Sequence, residues 1–243
     1  MSSFTPSLLV SRTVPRRICA ASGLAFLACS VVGLLLANVF ATAFYPSPFG
    51  PPFGPQSDVL AYFSANRIQV RQVRAMSFVF ALAALALLIF VAYSAELFAD
   101  TPVARRAGLA GLALGAGALS AGFWLLTALL LWALSQPEAT EESGLLRTLH
   151  DLVYVSGGPA HILTLGVFLG AIAAAQWRMS QLPRWIIWTG AAAALLSMLA
   201  AFTLLWEPAS FLLPLGRGLS TFWILVVSVG LLLARSTDMA GDA

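Results

Sequence analysis

Six long apolar stretches dominate this chain, and they constrain its fold more than any other feature. A helix needs about 20 consecutive apolar residues to cross the hydrocarbon core of a bilayer, because it rises only about 1.5 Å per residue. The stretches that meet this length are residues 18–43, 75–98, 107–135, 152–177, 185–206 and 211–234. The sequence therefore predicts an all-α fold, a polytopic transmembrane bundle of six helices.

The composition of the chain agrees with a lipid environment. Hydrophobic residues make up 60% of the 243 residues and charged residues only 9%, whereas a soluble domain carries about 25% charged residues. A soluble domain of this size could not hide so much apolar surface from water. The 13 cationic residues, all Arg, are scattered between the apolar stretches and not clustered as nucleic-acid binding requires. We therefore expect the lipid bilayer, and no nucleic acid, as a partner.

The distribution of Arg predicts the orientation of the bundle. Short loops on the cytoplasmic side of a membrane carry an excess of cationic residues. If the N-terminus is cytoplasmic, eight Arg lie on the cytoplasmic side and five on the other. The first stretch is also too long for the hydrophobic region of a cleaved signal peptide. We expect a multi-pass protein of the cell membrane, with cytoplasmic terminal segments at 1–17 and 235–243.

The longest loop, residues 44–74, separates the first two stretches. It begins with the repeat Pro-Phe-Gly-Pro at 48–55, which excludes regular structure because proline lacks an amide donor and fixes φ. A helical pattern follows from Gln56, with Arg67, Arg71 and Arg74 on one face. The pattern predicts a helix lying in the membrane interface, with these guanidinium groups on lipid phosphates. The alternative is an anion-binding face at the mouth of the bundle.

Small residues recur at helical spacing in two of the stretches. In a bilayer, helices associate where small residues let their backbones approach. The third stretch carries a stripe of four glycines and one alanine, and the fourth carries a shorter motif. These residues are Gly108, Gly111, Gly115, Ala118 and Gly122 in the third stretch and Gly166 and Gly170 in the fourth. We predict that both sets seat neighbouring helices within one protomer; the alternative is a seam with a second copy or another membrane protein.

Polar residues at membrane depth are costly, and they therefore mark candidate functional sites. In the fourth stretch His150, Tyr154 and His161 follow helical spacing, and Gly157-Gly158-Pro159 weakens the helix between them. In the predicted topology, Glu207 and Arg217 lie at the same outer half of the bundle. The pattern predicts an outward-facing polar pocket. Its candidate ligand-binding residues are His150, Tyr154, His161, Glu207 and Arg217.

Plainer interpretations of the same residues remain open. Gly157-Gly158-Pro159 could be a proline kink packed by glycines, with His161 hydrogen-bonded to a neighbouring helix. Glu207 and Arg217 could form an ion pair across a short loop. His150 and His161 are the only histidines, and they lie about 16 Å apart on an unbroken helix. They could not ligate one metal ion or haem together unless the helix is broken. The sequence has no H-E-x-x-H, P-loop, G-x-S-x-G or G-x-G-x-x-G motif, and it assigns no catalytic residue, metal or cofactor.

Three short segments resemble a family of small bacterial integral membrane proteins known only as a domain of unknown function. They are Tyr-Phe-Ser-Ala-Asn-Arg at 62–67, Gly-Gly-Pro-Ala at 157–160 and Leu-Pro-Arg-Trp at 182–185. The resemblance spans most of the chain, from the first stretch to the sixth. It implies a bundle of about six helices. It supplies no reaction, cofactor or catalytic residue.

Three classes of function fit these observations. The first, which we favour, is a protein that binds or moves a small or lipid-like molecule through the polar pocket. The second is a non-catalytic accessory or structural membrane subunit that packs against a partner. The third is a membrane-embedded lipid-modifying enzyme, with His150 or His161 as general base and Asp151 or Glu207 orienting it.

Overall fold

The computed structural model describes residues 7–42, 57, 67–99, 108–136, 143–177 and 182–240. Within these ranges the chain is helical apart from short turns, and it contains no strand. The α-helices are α1 (Ser7–Thr42), α2 (Arg67–Ala99), α3 (Leu109–Leu134), α4 (Ser143–Val155), α5 (His161–Trp177), α6 (Arg184–Leu199) and α7 (Leu212–Ala240). A π-helical turn, Ser156–Ala160, joins α4 to α5. The 3-10 turns Ala200–Leu204 and Glu207–Phe211 lie between α6 and α7.

The predicted fold class is confirmed, because the described residues form six segments long and apolar enough to cross a membrane. The helices nevertheless extend beyond the apolar stretches. α1 begins at Ser7 and not at residue 18, and α4 begins at Ser143 and not at residue 152. Hydropathy marks where the side chains change from apolar to polar, whereas helical hydrogen bonding continues through the polar turns on either side.

Where the structure describes it, the predicted interfacial helix is continuous with α2, and the contacts of its arginines with lipid phosphates stay a prediction. Arg67, Arg71 and Arg74 lie in the first turns of α2, which continues without interruption into the second span. The Arg74 guanidinium contacts the end of α3, with its Nη2 3.4 Å from the Ser135 carbonyl oxygen. Apart from Ser57, residues 44–66 lie outside the described residues, as does the Pro-Phe-Gly-Pro repeat.

The six spans form a closed ring. α1 packs on α2, α2 on α3, α3 on α5, α5 on α6, α6 on α7, and α7 returns to α1. α5 also touches α2 and α7 across the ring, so the fourth span is the most enclosed. A core cluster joins these helices through buried apolar side chains such as Phe90, Phe168 and Trp223.

The two ends of the bundle are defined by hydrogen bonds between helix termini. At one end, the contact of Arg74 with Ser135 joins the start of α2 to the end of α3. At the other, Gln176 Nε2 donates to the Phe98 carbonyl at 2.8 Å, joining the ends of α5 and α2. We call the end where α4 begins the Arg147 end, and the opposite end, where α6 begins, the Arg184 end.

The two glycine motifs behave differently. Gly166 lies against α6, where an added Cβ would be 2.8 Å from Ser197 Cβ and 3.0 Å from the Ala194 carbonyl oxygen. The prediction of packing within one protomer is therefore confirmed for α5. It is wrong for α3, because Gly111, Gly115 and Gly122 are exposed and an added Cβ would meet nothing within 4 Å. The alternative, a seam with another molecule, stays a prediction.

Candidate ligand site at the centre of the bundle

The π turn Ser156–Ala160 lies near the middle of the fourth span, Gly144–Trp177. In an α-helix the His161 amide would donate to the Gly157 carbonyl, four residues earlier. Here it donates to the carbonyls of Ser156 and Gly158. The Gly157 carbonyl is thereby left without its α-helical donor.

Arg217 of α7 supplies the missing donor. Its Nη2 donates to the Gly157 carbonyl oxygen at 2.5 Å. Gly157 also lets the π turn approach α3, because an added Cβ would lie 2.9 Å from the side chain of Thr127 on α3. The proline and glycines therefore produce a local break in the helix, and a cation from another helix satisfies the backbone that the break exposes.

Trp124 of α3 lies between the cation and the imidazole of α5. The Arg217 Cζ lies 5.1 Å from the centroid of the Trp124 ring, within the range of a cation–π interaction. The His161 ring lies 4.5 Å from Trp124, centroid to centroid, and Phe80 of α2 lies 4.9 Å from it. Trp124 is only 5% exposed, so one indole connects four helices.

Ser120 holds the His161 imidazole in place. Its hydroxyl donates to the His161 carbonyl at 3.1 Å. The His161 Nδ1 lies 2.8 Å from the Ser120 hydroxyl oxygen and 3.0 Å from the Ser120 carbonyl oxygen. Because a carbonyl only accepts, Nδ1 carries a proton and donates to it. The interpretation that His161 is hydrogen-bonded to a neighbouring helix is confirmed.

Three buried polar atoms around the π turn have no hydrogen-bond partner among the described residues. They are Arg217 Nε, Trp124 Nε1 and the Tyr154 hydroxyl oxygen. Two of them can only donate, and the Tyr154 hydroxyl can donate or accept. An unpartnered polar atom away from water costs free energy. Each of the three atoms can donate, and each therefore suits a hydrogen-bond acceptor.

The structure brings together only part of the predicted pocket. His161 and Arg217 meet at Trp124, and Tyr154 lies one turn before Gly157 and Gly158 on the same helix face. Glu207 lies on the exposed 3-10 turn, and the predicted ion pair with Arg217 is absent from the salt bridges among the described residues. The physical reason is that the turn lets the carboxylate reach water, whereas Arg217 is drawn to the freed carbonyl.

His150 also lies apart from this cluster. It is buried near the Arg147 end, with its Nδ1 3.6 Å from the Asp151 carboxylate, too far for a hydrogen bond. Arg147 holds the same carboxylate at 3.0 Å. His150 therefore lies with Arg147 and Asp151 in α4, whereas His161 begins α5.

Sequence reasoning missed Ser120, Trp124 and the Gly157 carbonyl. One signal was available: Trp residues concentrate at the membrane interface, and Trp124 lies well inside the third span, Leu109–Leu134. An indole at that depth has a donor that must find a partner in the protein.

His161 has no carboxylate among its described contacts. A general base is usually oriented by a third group, most often a carboxylate. The described contacts of His161 are with Ser120 and Trp124, and neither can stabilise an imidazolium as a carboxylate does.

Comparisons with protein-family models, with curated proteins and with solved structures gave no match for this chain, so the resemblance in its short segments stays a prediction.

Proposed function

We propose that the protein binds a small or lipid-like molecule bearing a carboxylate or phosphate group, at the centre of the bundle. The binding groups are Arg217, Trp124 and Tyr154, and His161 positions the indole. One observation carries the proposal: the buried Nε of Arg217 has no partner, and its guanidinium lies on the ring of Trp124, whose Nε1 also has none.

The charge of Arg217 is the first support. Placing an arginine at the centre of a membrane helix costs about 2.5–3.5 kcal/mol on insertion scales. The Gly157 carbonyl and the Trp124 ring offset part of this cost, but neither carries a negative charge. Among the described residues no carboxylate forms an ion pair with Arg217. An acidic ligand group would supply the missing countercharge.

The unused N–H donors of Arg217 are the second support. A guanidinium has five N–H groups in a planar fork, which matches the oxygens of a carboxylate or phosphate. One Nη2–H is used on Gly157, which fixes the plane of the fork and leaves Nε–H available. Trp124 Nε1–H and the Tyr154 hydroxyl can complete the coordination of an oxyanion.

Ligand-induced stabilisation tests the proposal. Cys19 is 0% exposed, so its thiol reacts with a maleimide dye only when the bundle opens, and a Cys29→Ala background isolates this signal. The probes are oleate, inorganic phosphate and methyl oleate. Oleate tests for an acidic lipid and phosphate for a free anion, and methyl oleate is the uncharged analogue of oleate. We expect oleate or phosphate, but not methyl oleate, to raise the unfolding temperature.

Matched variants give this experiment its specificity. Arg217→Gln should abolish the shift, and Trp124→Phe, which keeps an aromatic ring but removes the indole N–H, should weaken binding about tenfold. Arg71→Gln removes an exposed guanidinium at the Arg147 end of the bundle and should leave the shift in unfolding temperature unchanged. The proposal fails if neither acidic probe stabilises the protein, or if Arg217→Gln responds as fully as the parent.

We also propose that the bundle lies in the cell membrane with both termini cytoplasmic, as the Arg distribution favours. The Arg184 end then faces the cytoplasm and the Arg147 end faces outward. Single cysteines at two exposed positions, Arg71→Cys and Arg184→Cys in a background without Cys19 and Cys29, test this orientation. We expect a membrane-impermeant maleimide to label Arg71→Cys on intact cells and Arg184→Cys only after lysis; the reverse pattern would invert the topology.

A further inference from the structure

A groove runs along the outside of the bundle between α5 and α6, at the Arg184 end. Its wider section has a volume of about 380 Å³ and is lined by Gly170, Ala173, Ala174, Trp177 and Ala191. A second section of about 250 Å³ lies against Trp177, Arg184, Ile187 and Trp188. Both sections are lined by Trp177, so they adjoin each other at this residue. We call the two sections together the α5–α6 groove.

The section nearest the helix ends is equipped for a phosphate group. Arg184 is exposed and forms no ion pair with any carboxylate that the structure describes. Trp177 and Trp188 pack edge to face, with ring centroids 4.7 Å apart, and both are more than half exposed. Tryptophan prefers the headgroup region of a bilayer, and a guanidinium pairs readily with phosphate.

The section nearer the bundle centre is equipped for hydrocarbon. Its floor is made of Gly170, Ala173, Ala174 and Ala191, and it contains no polar side chain. Small side chains leave a trough between the two helices. A Cβ added at Gly170 would make only an ordinary 3.5 Å contact with Ala194 of α6. From Trp177 to Gly170 the trough runs about 10 Å along the helix axis.

The order of these two sections matches the order of groups in a phospholipid. We propose that the α5–α6 groove binds one phospholipid with an anionic headgroup, its phosphate on Arg184 between the Trp177 and Trp188 rings and one acyl chain in the alanine-lined trough. A zwitterionic lipid would bring its own cation to Arg184 and lose part of this attraction. The groove is separate from the Arg217 site, and the inference does not rest on the proposed function.

Native mass spectrometry of the intact protein tests this inference. The protein is released from nanodiscs containing equal amounts of phosphatidylglycerol and phosphatidylcholine, and the lipid retained per protein is counted. We expect one retained phosphatidylglycerol, with Arg184→Ala lowering its affinity about fivefold. Ala174→Phe, an exposed position in the trough, should also reduce retention because the ring occupies the space of the acyl chain.

The control removes a charge at the same end without touching the groove. Arg17→Ala, at an exposed position of α1, should retain lipid as the parent does. The inference is overturned if Arg184→Ala and Arg17→Ala retain equal amounts of phosphatidylglycerol, or if the parent retains both lipids equally. Folding of each variant is checked by the protection of Cys19 from the maleimide dye.

Discussion

Replacing Trp124 with alanine is expected to lower the free energy of unfolding by about 3–5 kcal/mol, the range for removing a large buried aromatic side chain. The indole contacts Phe80, His161 and Arg217, on three other helices. Its removal leaves a cavity where these helices meet and takes the aromatic face away from the guanidinium. Helices in a bilayer associate through van der Waals packing and not through the hydrophobic effect. Nothing therefore compensates for the lost contacts.

Denaturant unfolding in detergent, followed through the reactivity of Cys19, measures this loss. Trp132→Ala is the matched control, because Trp132 lies on the same helix but is 53% exposed. Its removal should change the free energy of unfolding by no more than about 0.5 kcal/mol. Equal losses in the two variants would mean that Trp124 has no special role in joining the helices.

Replacing Gly166 with leucine is expected to separate α5 from α6. An added Cβ alone would come within 3.0 Å of the Ala194 carbonyl oxygen and 3.2 Å of the Met198 amide nitrogen. These are backbone atoms, so a side-chain rotation cannot relieve the overlap. Overpacking a core costs about 1–3 kcal/mol or more, and leucine adds three further carbons beyond Cβ. We expect a large drop in the yield of folded protein and early exposure of Cys19 on heating.

Gly115→Leu makes the same substitution on a helix face that meets nothing. An added Cβ at Gly115 has no atom within 4 Å, and glycine in a helix is less stable than other residues by up to about 1 kcal/mol. We expect the folded monomer to be unchanged or slightly more stable. If Gly115→Leu destabilised the monomer as much as Gly166→Leu, the outward direction of the α3 glycines would be wrong.

The sequence predicted the six spans well because length and hydropathy are direct consequences of the bilayer. It predicted their ends less well. Arg67 and Ser143 begin helices in segments that hydropathy places outside the membrane, because an α-helix satisfies its own backbone wherever it runs. The wrong prediction for the α3 glycines has a related cause. Spacing shows which residues share a face, but only the tertiary structure shows what that face meets.

The candidate site was predicted in part for a similar reason. His161 and Arg217 stood out because ionisable groups at membrane depth are rare. Ser120 did not stand out, since serine occurs freely in membrane helices, and Trp124 stood out only by its depth within the third span. The partner of Arg217 could not be predicted at all, because it is a backbone carbonyl. Only the change from α to π hydrogen bonding at Ser156–Ala160 makes that oxygen available.

This change of hydrogen bonding makes the cation and the turn depend on each other. A π turn holds one residue more than an α-helical turn, so a chain shortened by one residue within 156–160 could continue as an ordinary helix. The Gly157 oxygen would then accept from its own helix, and Arg217 would face an occupied acceptor. Loss of Arg217 would instead leave the π turn with an orphaned oxygen in the least aqueous part of the fold. Sequence change should therefore preserve this pair of features together or remove them together.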